Sequence, residues 1–133
     1  DAVAMDMFDT TYYGLDEEGA RNWEHILPPG DNAHLLQLNT DDEGTPENYT
    51  VTLFHQMKCL ETYYHEYSLD SSHKPSPLLR HCLNYLRQQI MCQLDTRLES
   101  VRTKKAQSAR FYTSVCRDWT KVYETASLVH SSI

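Results

Sequence analysis

Two short stretches of the chain hold most of the side chains that could do chemistry. The first, FHQMKCL, carries His55 and Cys59, and the second, HCLNYLRQQIMC, carries His81, Cys82 and Cys92. Imidazole changes its charge near neutral pH and binds transition metals, and a thiol either binds metals or forms disulfides. These residue types therefore indicate a catalytic or metal site, a set of disulfides, or both.

Both stretches are predicted to lie on helices that pack as an antiparallel pair. The second helix of the chain is expected from about Pro46 to Tyr67, and the third is expected to begin with Ser76 as its cap and Pro77 in its first turn. A connector of only about ten residues joins them, which favours antiparallel packing. Their apolar stripes are predicted at Leu53, Met57, Leu60, Tyr64 and Tyr67 on the second helix and at Leu79, Cys82, Leu83, Leu86 and Ile90 on the third.

A second stripe on the third helix is polar and could form one wall of a pocket. Its members are spaced alternately by three and four residues, which keeps them in line on a helix. They are Leu78, His81, Tyr85, Gln88, Cys92 and Asp95. We expect Lys58, His55, His81 and Tyr85 to be catalytic, with Gln88, Asp95 and Leu78 lining the same pocket. The alternative is that His55 and His81 only form hydrogen bonds across the helix interface.

The rest of the chain predicts short elements around this pair. DEEGARNWEHIL reads as a short helix capped by Asp16 and ended by PPG, while AHLLQL and RFYTSV have strand character. CRDWTKVYETASLV is typical of a last short helix. The predicted fold is a single domain over residues 1–133. It is mainly α, with the antiparallel helix pair at its core, short helices, a few short extended strands and disulfide staples.

The four cysteines predict two disulfides and an oxidising compartment. Cys82 and Cys92 are ten positions apart on one helix, which is about 15 Å and too far for a bond. Cys59 must then take Cys82 or Cys92, and Cys116 takes the other; both patterns stay open, as does a set of four reduced thiols. The triplet NYT marks Asn48 as a glycosylation site, with an unmodified loop residue as the alternative.

Composition limits the classes of partner. The formal net charge of -7 argues against a nucleic-acid backbone or an anionic membrane surface as the main partner, since both need a basic face. No run approaches the roughly 20 apolar residues that span a bilayer. The chain begins at Asp1 without a Met, so we expect that any targeting segment of the natural protein has been removed.

The motifs resemble those of the UstYa-like family of fungal secondary-metabolite proteins. FHQMKCL and HCLNYLRQQIMCQLDT match the two HxxHC motifs of that family, CRDW matches its C-terminal HxC region, and ARNWEHILPPG is similar to its Trp-containing helix. The resemblance covers about Ala20 to Tyr123. It implies an N-terminal membrane anchor, a domain in the lumen of the secretory pathway, and tailoring of fungal peptides, polyketides or terpenoids. It also implies oxidative chemistry, with the paired histidines holding copper.

The chain departs from the family pattern at three expected ligand positions. Lys58 stands at the second His of the first motif, Leu78 at the first His of the second motif, and Ser114 at the His of HxC. A copper site needs about three or more imidazole or thiolate ligands, and disulfide-bonded cysteines supply none. We therefore predict no metal and no cofactor, with copper on His55 and His81 as the alternative.

The predicted function is non-redox ring closure of a small-molecule biosynthetic intermediate, by cycloaddition or addition-type cyclisation. Lys58 and His81 would donate hydrogen bonds or carry protons, helped by His55 and Tyr85. One alternative is a copper-dependent oxidase or oxidative cyclase of the UstYa type. Another is a non-catalytic partner of a related enzyme, since a homodimer or pairing with a second UstYa-like protein is expected to be accessible to this fold.

Overall fold

The computed structural model describes residues 1–8, 10–39, 46–69, 72–98 and 111–131. Over these ranges the chain forms four helices and four strands, in the order β1 (Ala2–Phe8), α1 (Glu17–Glu24), β2 (Leu35–Asn39), β3 (Pro46–Thr50), α2 (Thr52–Tyr67), α3 (Pro77–Gln93), β4 (Phe111–Arg117) and α4 (Thr120–Ser131). The strands form two separate two-stranded antiparallel sheets, β1 with β4 and β2 with β3. Mainly α is therefore correct only in part, because two antiparallel ribbons accompany the helices.

Helix α1 begins where the sequence predicts. The Asp16 carboxylate accepts a hydrogen bond from the Gly19 N–H at 2.8 Å, and Glu17 and Glu18 fill the first turn. Gly19 lies against the backbone of Gly14, where an added Cβ would come 2.0 Å from the Gly14 carbonyl oxygen. A side chain at position 19 would therefore push the helix away from the preceding turn.

The β2–β3 hairpin takes residues that the sequence assigned to a helix. The second helix was expected to begin near Pro46, but residues 46–50 pair with β2, and Leu36 lies opposite Tyr49. The sequence Asn48–Tyr49–Thr50 suits a strand, and the apolar residues of β2 supply its partner. Helix α2 consequently begins at Thr52, and Asn48 lies exposed on a strand.

Helices α2 and α3 pack antiparallel, as predicted. Cys59 in the middle of α2 is bonded to Cys82 of α3. Nearer the end of α2, the Glu66 carboxylate accepts a hydrogen bond at 3.0 Å from the N–H of Ser76, the residue just before α3. Helix α3 therefore runs in the opposite direction beside α2. Ser76 caps α3 by accepting from the Leu79 N–H at 3.0 Å, with Pro77 in the first turn. The predicted start of this helix is confirmed.

The buried core is small and only partly follows the predicted stripes. Tyr64, Leu79 and Cys82 are buried as expected, whereas Tyr67, Leu83 and Ile90 are exposed. Periodicity identifies an apolar face, but it cannot say how much of that face a short neighbouring element covers. The buried hydrophobic residues among those described are Ala33, Phe54, Cys59, Tyr64, Leu79, Cys82 and Ala126.

Helix α4 closes the core over the start of α2. Phe54 is fully buried and packs edge-to-face on Tyr123, with ring centroids 5.0 Å apart. The Tyr123 hydroxyl donates to the Ile26 carbonyl at 2.7 Å, which ties α4 to the segment after α1. Phe54 lay outside the predicted stripe because its partner comes from α4, about 70 residues away in the chain.

Candidate functional site

Three ring side chains from α2 and α3 come together at one place on the helix pair. The His55 imidazole lies nearly parallel to the Tyr85 ring, with centroids 3.9 Å apart and planes at 18°. The His81 ring lies 5.8 Å from His55 and 6.3 Å from Tyr85, also nearly parallel. The structure therefore brings together three of the four residues predicted to be catalytic.

The adjoining disulfide fixes the relative position of these rings. Cys59 follows His55 by one turn of α2, and Cys82 directly follows His81 on α3. The Cys59–Cys82 bond holds the two backbones with Cα atoms 4.9 Å apart. A crosslink one turn from the rings restricts how far the helices can slide, which maintains the His55–His81 geometry.

His55 is set up to be neutral near physiological pH. Partial burial lowers the pKa of His55 below its usual 6.5, and the charge of His81 lowers it further. His55 and Tyr85 are half-buried, whereas His81 is exposed. A positive charge on His81 therefore disfavours a proton on His55. A neutral imidazole such as that of His55 can accept a proton from a substrate.

Lys58, the fourth predicted catalytic residue, lies in a different cluster. The Lys58 ammonium forms an ion pair with Glu61, 2.5 Å from Glu61 Oε2, without the geometry of a hydrogen bond. The Lys58 side chain is 48% exposed. His65 Nε2 lies 3.8 Å from the other Glu61 oxygen. Among the described residues no hydrogen bond, ion pair or ring contact joins Lys58 to His55 or His81, so its catalytic role stays a prediction.

The Lys58 cluster includes His34 from the turn before β2. Burial lowers the pKa of His34 first, the Lys58 charge lowers it further, and the Glu61 charge partly opposes both. Glu61 and His34 were not among the predicted site residues. The i,i+3 spacing of Lys58 and Glu61 is a signal that could have found the first. No local pattern marks His34, because the fold of the hairpin brings it to α2.

Among the described residues, no hydrogen bond, ion pair or ring contact joins the three predicted pocket-lining residues to His55 or His81. Leu78 and Gln88 are exposed on α3. Helix α3 ends at Gln93, and the left-handed Leu94 turns the chain, so Asp95 leaves the helical line on which its prediction depended. Asp95 instead binds Arg97, and hydrogen bonds from Arg97 lower the pKa of Asp95 to about 2. Its place in the same pocket as His55 and His81 is not supported.

Arg97 links the chain after α3 to β4. Its guanidinium donates to Ser114 Oγ at 2.7 Å and lies over the Tyr112 ring, 5.1 Å from the centroid. Ser114 occupies one of the positions where the motif would have an imidazole, and here its hydroxyl serves this structural contact. The third motif position is therefore part of the α3–β4 connection.

The described side chains do not form a copper site of the expected kind. Within the described ranges no group of three or more His, Cys, Asp or Glu could hold a metal ion. His55 and His81 supply two imidazoles, whereas Cys59 and Cys82 are bonded to each other and supply no thiolate. A two-imidazole set falls short of the three or more protein ligands typical of a tight copper or zinc site.

Only one of the two expected disulfides forms. Of the two open patterns, the structure selects the one that contains Cys59–Cys82. Cys92 and Cys116 are free thiols: Cys92 is exposed near the end of α3 and Cys116 is half-buried on β4. The expectation of a second bridge differs from the structure here, because β4 pairs with β1 and touches the chain after α3 through Arg97, not through Cys92.

None of the helices in the part described is long and apolar enough to cross a membrane.

Comparison with known proteins places the chain in a family. No solved structure matches. The "UstYa family oxidase phomYb" of Diaporthe leptostromiformis is 28% identical over 120 residues, covering 79% of this chain and 48% of that protein, so the chain spans about half of its length. The family described as "Mycotoxin biosynthesis protein UstYa" matches residues 16–125, and the chain belongs to the UstYa family of mycotoxin and secondary-metabolite biosynthesis proteins.

Proposed function

We propose that this protein is a tailoring enzyme of secondary-metabolite biosynthesis that closes a ring without redox change. The observation that carries the proposal is the His55 imidazole, kept neutral by burial and by His81 and held flat against Tyr85. A neutral, oriented imidazole next to a second imidazole is suited to general acid–base catalysis. Membership of the family supports the biosynthetic setting.

The proposed reaction is an addition-type cyclisation. His55 takes a proton from a nucleophilic carbon or hydroxyl of the substrate, and the freed electron pair forms the new ring bond to an unsaturated carbon. The displaced π electrons end on the substrate's oxygen or α-carbon, and His81 returns a proton there. No electrons leave the substrate, and the imidazole pair regains its starting protonation by proton exchange.

Tyr85 acts as a positioning residue in this scheme. Its ring covers one face of His55 and fixes the plane in which the imidazole nitrogens lie. Lys58 would join as a hydrogen-bond donor to a substrate carbonyl only by leaving Glu61. Membrane anchorage and a lumenal location, which the family resemblance implies, stay predictions.

The test is product formation by the purified protein with a candidate cyclisation precursor. We expect His55→Gln and His81→Gln each to lower the rate about 10²-fold or more, the usual contribution of a general acid or base. His65→Gln is the matched control, an exposed histidine on the same helix, and should keep the rate. Full activity in folded His55→Gln protein would overturn the proposal.

A second candidate is a copper-dependent oxidase that uses His55 and His81. The relative from Diaporthe leptostromiformis is named an oxidase, which favours this reading. Copper would have to find further ligands outside the residues described or from the substrate. Metal analysis decides: one copper per chain that survives dialysis and is lost in His55→Gln, with product formation that requires oxygen, would establish the oxidase and overturn non-redox closure.

A further inference from the structure

An apolar cavity of about 310 Å³ lies between the hairpin, the start of α2 and α4. This volume is at the lower end of the range for sites that bind small molecules. The cavity is separate from the Lys58 cluster and from the Arg97 contacts. Its lining residues are Leu36, Val51, Lys121, Val122, Thr125 and Ala126.

The cavity lies one helical turn from His55. Val51 is the N-cap of α2, and its carbonyl accepts a hydrogen bond from the His55 N–H at 3.1 Å. The backbones of Val51 and His55 are therefore one turn, about 5–6 Å, apart along the helix axis, and a ligand in contact with Val51 can extend to His55.

The charged group at the cavity edge is already neutralised. The Lys121 ammonium contacts the Asp1 carboxylate and lies 3.7 Å from Asp118. A hydrogen bond from Thr120 lowers the pKa of Asp118, with a smaller effect of Lys121, so Asp118 is ionised at neutral pH. The ammonium is thus already paired with carboxylates, so it offers an anionic ligand no free positive charge.

The remaining polar group of the lining is also satisfied. The Thr125 hydroxyl donates to the Lys121 carbonyl at 2.7 Å. The other walls are aliphatic side chains from Leu36, Val51, Val122 and Ala126. The cavity consequently offers an entering group little besides apolar contact.

We infer that this cavity binds the uncharged aliphatic part of the substrate and presents the reacting part to His55. The substrate is then a compound with an uncharged hydrocarbon segment, not an acidic compound or a polar peptide. The inference rests on the proposed function for the step at His55, but the cavity's preference for an uncharged apolar ligand is independent of catalysis.

The experiment measures binding of N-phenyl-1-naphthylamine, an uncharged apolar fluorophore, to the full chain. We expect saturable binding, weakened at least 10-fold by Val122→Trp and by Thr125→Trp, which place an indole in the cavity. Thr125 is exposed, so this variant keeps the core even if Val122→Trp disturbs it. Gln37→Trp is the matched control, since Gln37 is exposed next to Leu36 on the same strand. It should leave the affinity unchanged.

Competition then tests the charge preference. Decanol should displace the fluorophore at a concentration at least 10-fold lower than decanoate at pH 7.5. Absence of saturable binding, equal affinity in Thr125→Trp and the parent chain, or better displacement by decanoate would each overturn the inference. His55→Gln should bind the fluorophore like the parent chain, so a failed catalytic proposal is distinguished from a failed cavity assignment.

Discussion

The His55 imidazole and the Tyr85 phenol stack with centroids 3.9 Å apart, one ring from each helix of the central pair. This contact removes water from one face of the imidazole, which disfavours its charged form. The effect adds to the repulsion from His81, the second cause of the lowered His55 pKa. The protonation of His55 is thus controlled by two side chains of α3.

We expect the pKa of His55 to rise toward 6.5 in Tyr85→Ala, which restores solvent, and in His81→Gln, which removes the neighbouring charge. Imidazole proton shifts followed by NMR give the titration. His65→Gln serves as the control and should not move it. An unchanged His55 pKa in both variants would show that neither ring acts on it.

The same shift predicts how stability depends on pH. His55 binds a proton more weakly in the folded chain than in the unfolded chain, where its pKa is near 6.5. Its contribution to the free energy of unfolding is therefore complete above about pH 6.5 and decreases as the pH falls through the lowered pKa. Urea unfolding between pH 5 and 8 should show this decrease, and His55→Gln should reduce it.

The Cys59–Cys82 disulfide is expected to stabilise the fold substantially. The bond closes a loop with a sequence separation of 23, for which the chain-entropy relation gives about 3 kcal/mol. Replacing both cysteines by alanine should lower the free energy of unfolding by about that amount, measured by urea denaturation. The matched control, Cys92→Ala with Cys116→Ala, should cost less than about 1 kcal/mol, since neither side chain is fully buried.

Alkylation of the unfolded, unreduced protein provides a second check. Mass spectrometry should find two modified thiols, on Cys92 and Cys116. Protein with no modified thiol would show that the second bridge expected from the cysteine count does form. If replacing Cys92 and Cys116 by alanine lowered the free energy of unfolding as much as replacing Cys59 and Cys82, the conclusion would be the same.

The Lys58–Glu61 pair predicts two opposite shifts at His34. Lys58→Ala should raise the pKa of His34, because it removes a nearby positive charge, and Glu61→Gln should lower it. Burial is the largest cause, so the pKa stays below 6.5 in Lys58→Ala. NMR titration of His34 measures both, and shifts of the same sign in the two variants would contradict the arrangement.

Local signals predicted the starts of α1 and α3, but not the pairing of the strands around them. Capping by Asp16 and Ser76 and the short connector were sufficient for α1, α3 and the antiparallel pair. They act within a few residues, where backbone hydrogen bonds and chain length decide the outcome. The β1–β4 ribbon was not predictable in this way, because it pairs Ala2 with Arg117 across nearly the whole chain.

In the candidate site, too, contacts set by local helical spacing were predicted, whereas those that depend on distant elements were not. His55, His81 and Tyr85 were predicted together because helical spacing and an antiparallel neighbour bring them together. Asp95 was misplaced because the stripe was extended beyond the end of α3. The apolar cavity was missed because its walls come from β2, α2 and α4, which share no sequence period.

The Asp95–Arg97 pair predicts a strongly lowered carboxyl pKa that depends on one side chain. Asp95 has a pKa of about 2 against a usual value of 3.8, so its share of stability is present above pH 3.8 and is lost as the pH falls toward 2. Arg97→Ala should return the pKa toward 3.8, and Arg97→Lys should give an intermediate value, since it keeps the charge but loses the fork of donors. Carboxyl NMR shifts measure the Asp95 pKa, and a pKa that stays near 2 in Arg97→Ala would exclude the pair.

Leu94 at the end of α3 offers a stabilising substitution. Its backbone is left-handed, with φ 36°, and its side chain is 71% exposed. A leucine is strained in this region, whereas glycine is the usual residue at such helix ends. Leu94→Gly should therefore raise the free energy of unfolding by about 0.5–1 kcal/mol, measured by urea denaturation.

The matched control is Leu98→Gly. Leu98 is fully exposed, and among the described residues only Asn32 and Leu94 combine a side chain with a positive φ. Glycine at position 98 relieves no strain and adds freedom to the unfolded chain, so the free energy of unfolding should stay the same or fall slightly. If Leu94→Gly also lowered it, the apolar contacts of the Leu94 side chain would outweigh the relief of backbone strain, and the left-handed cap would not limit the stability of α3.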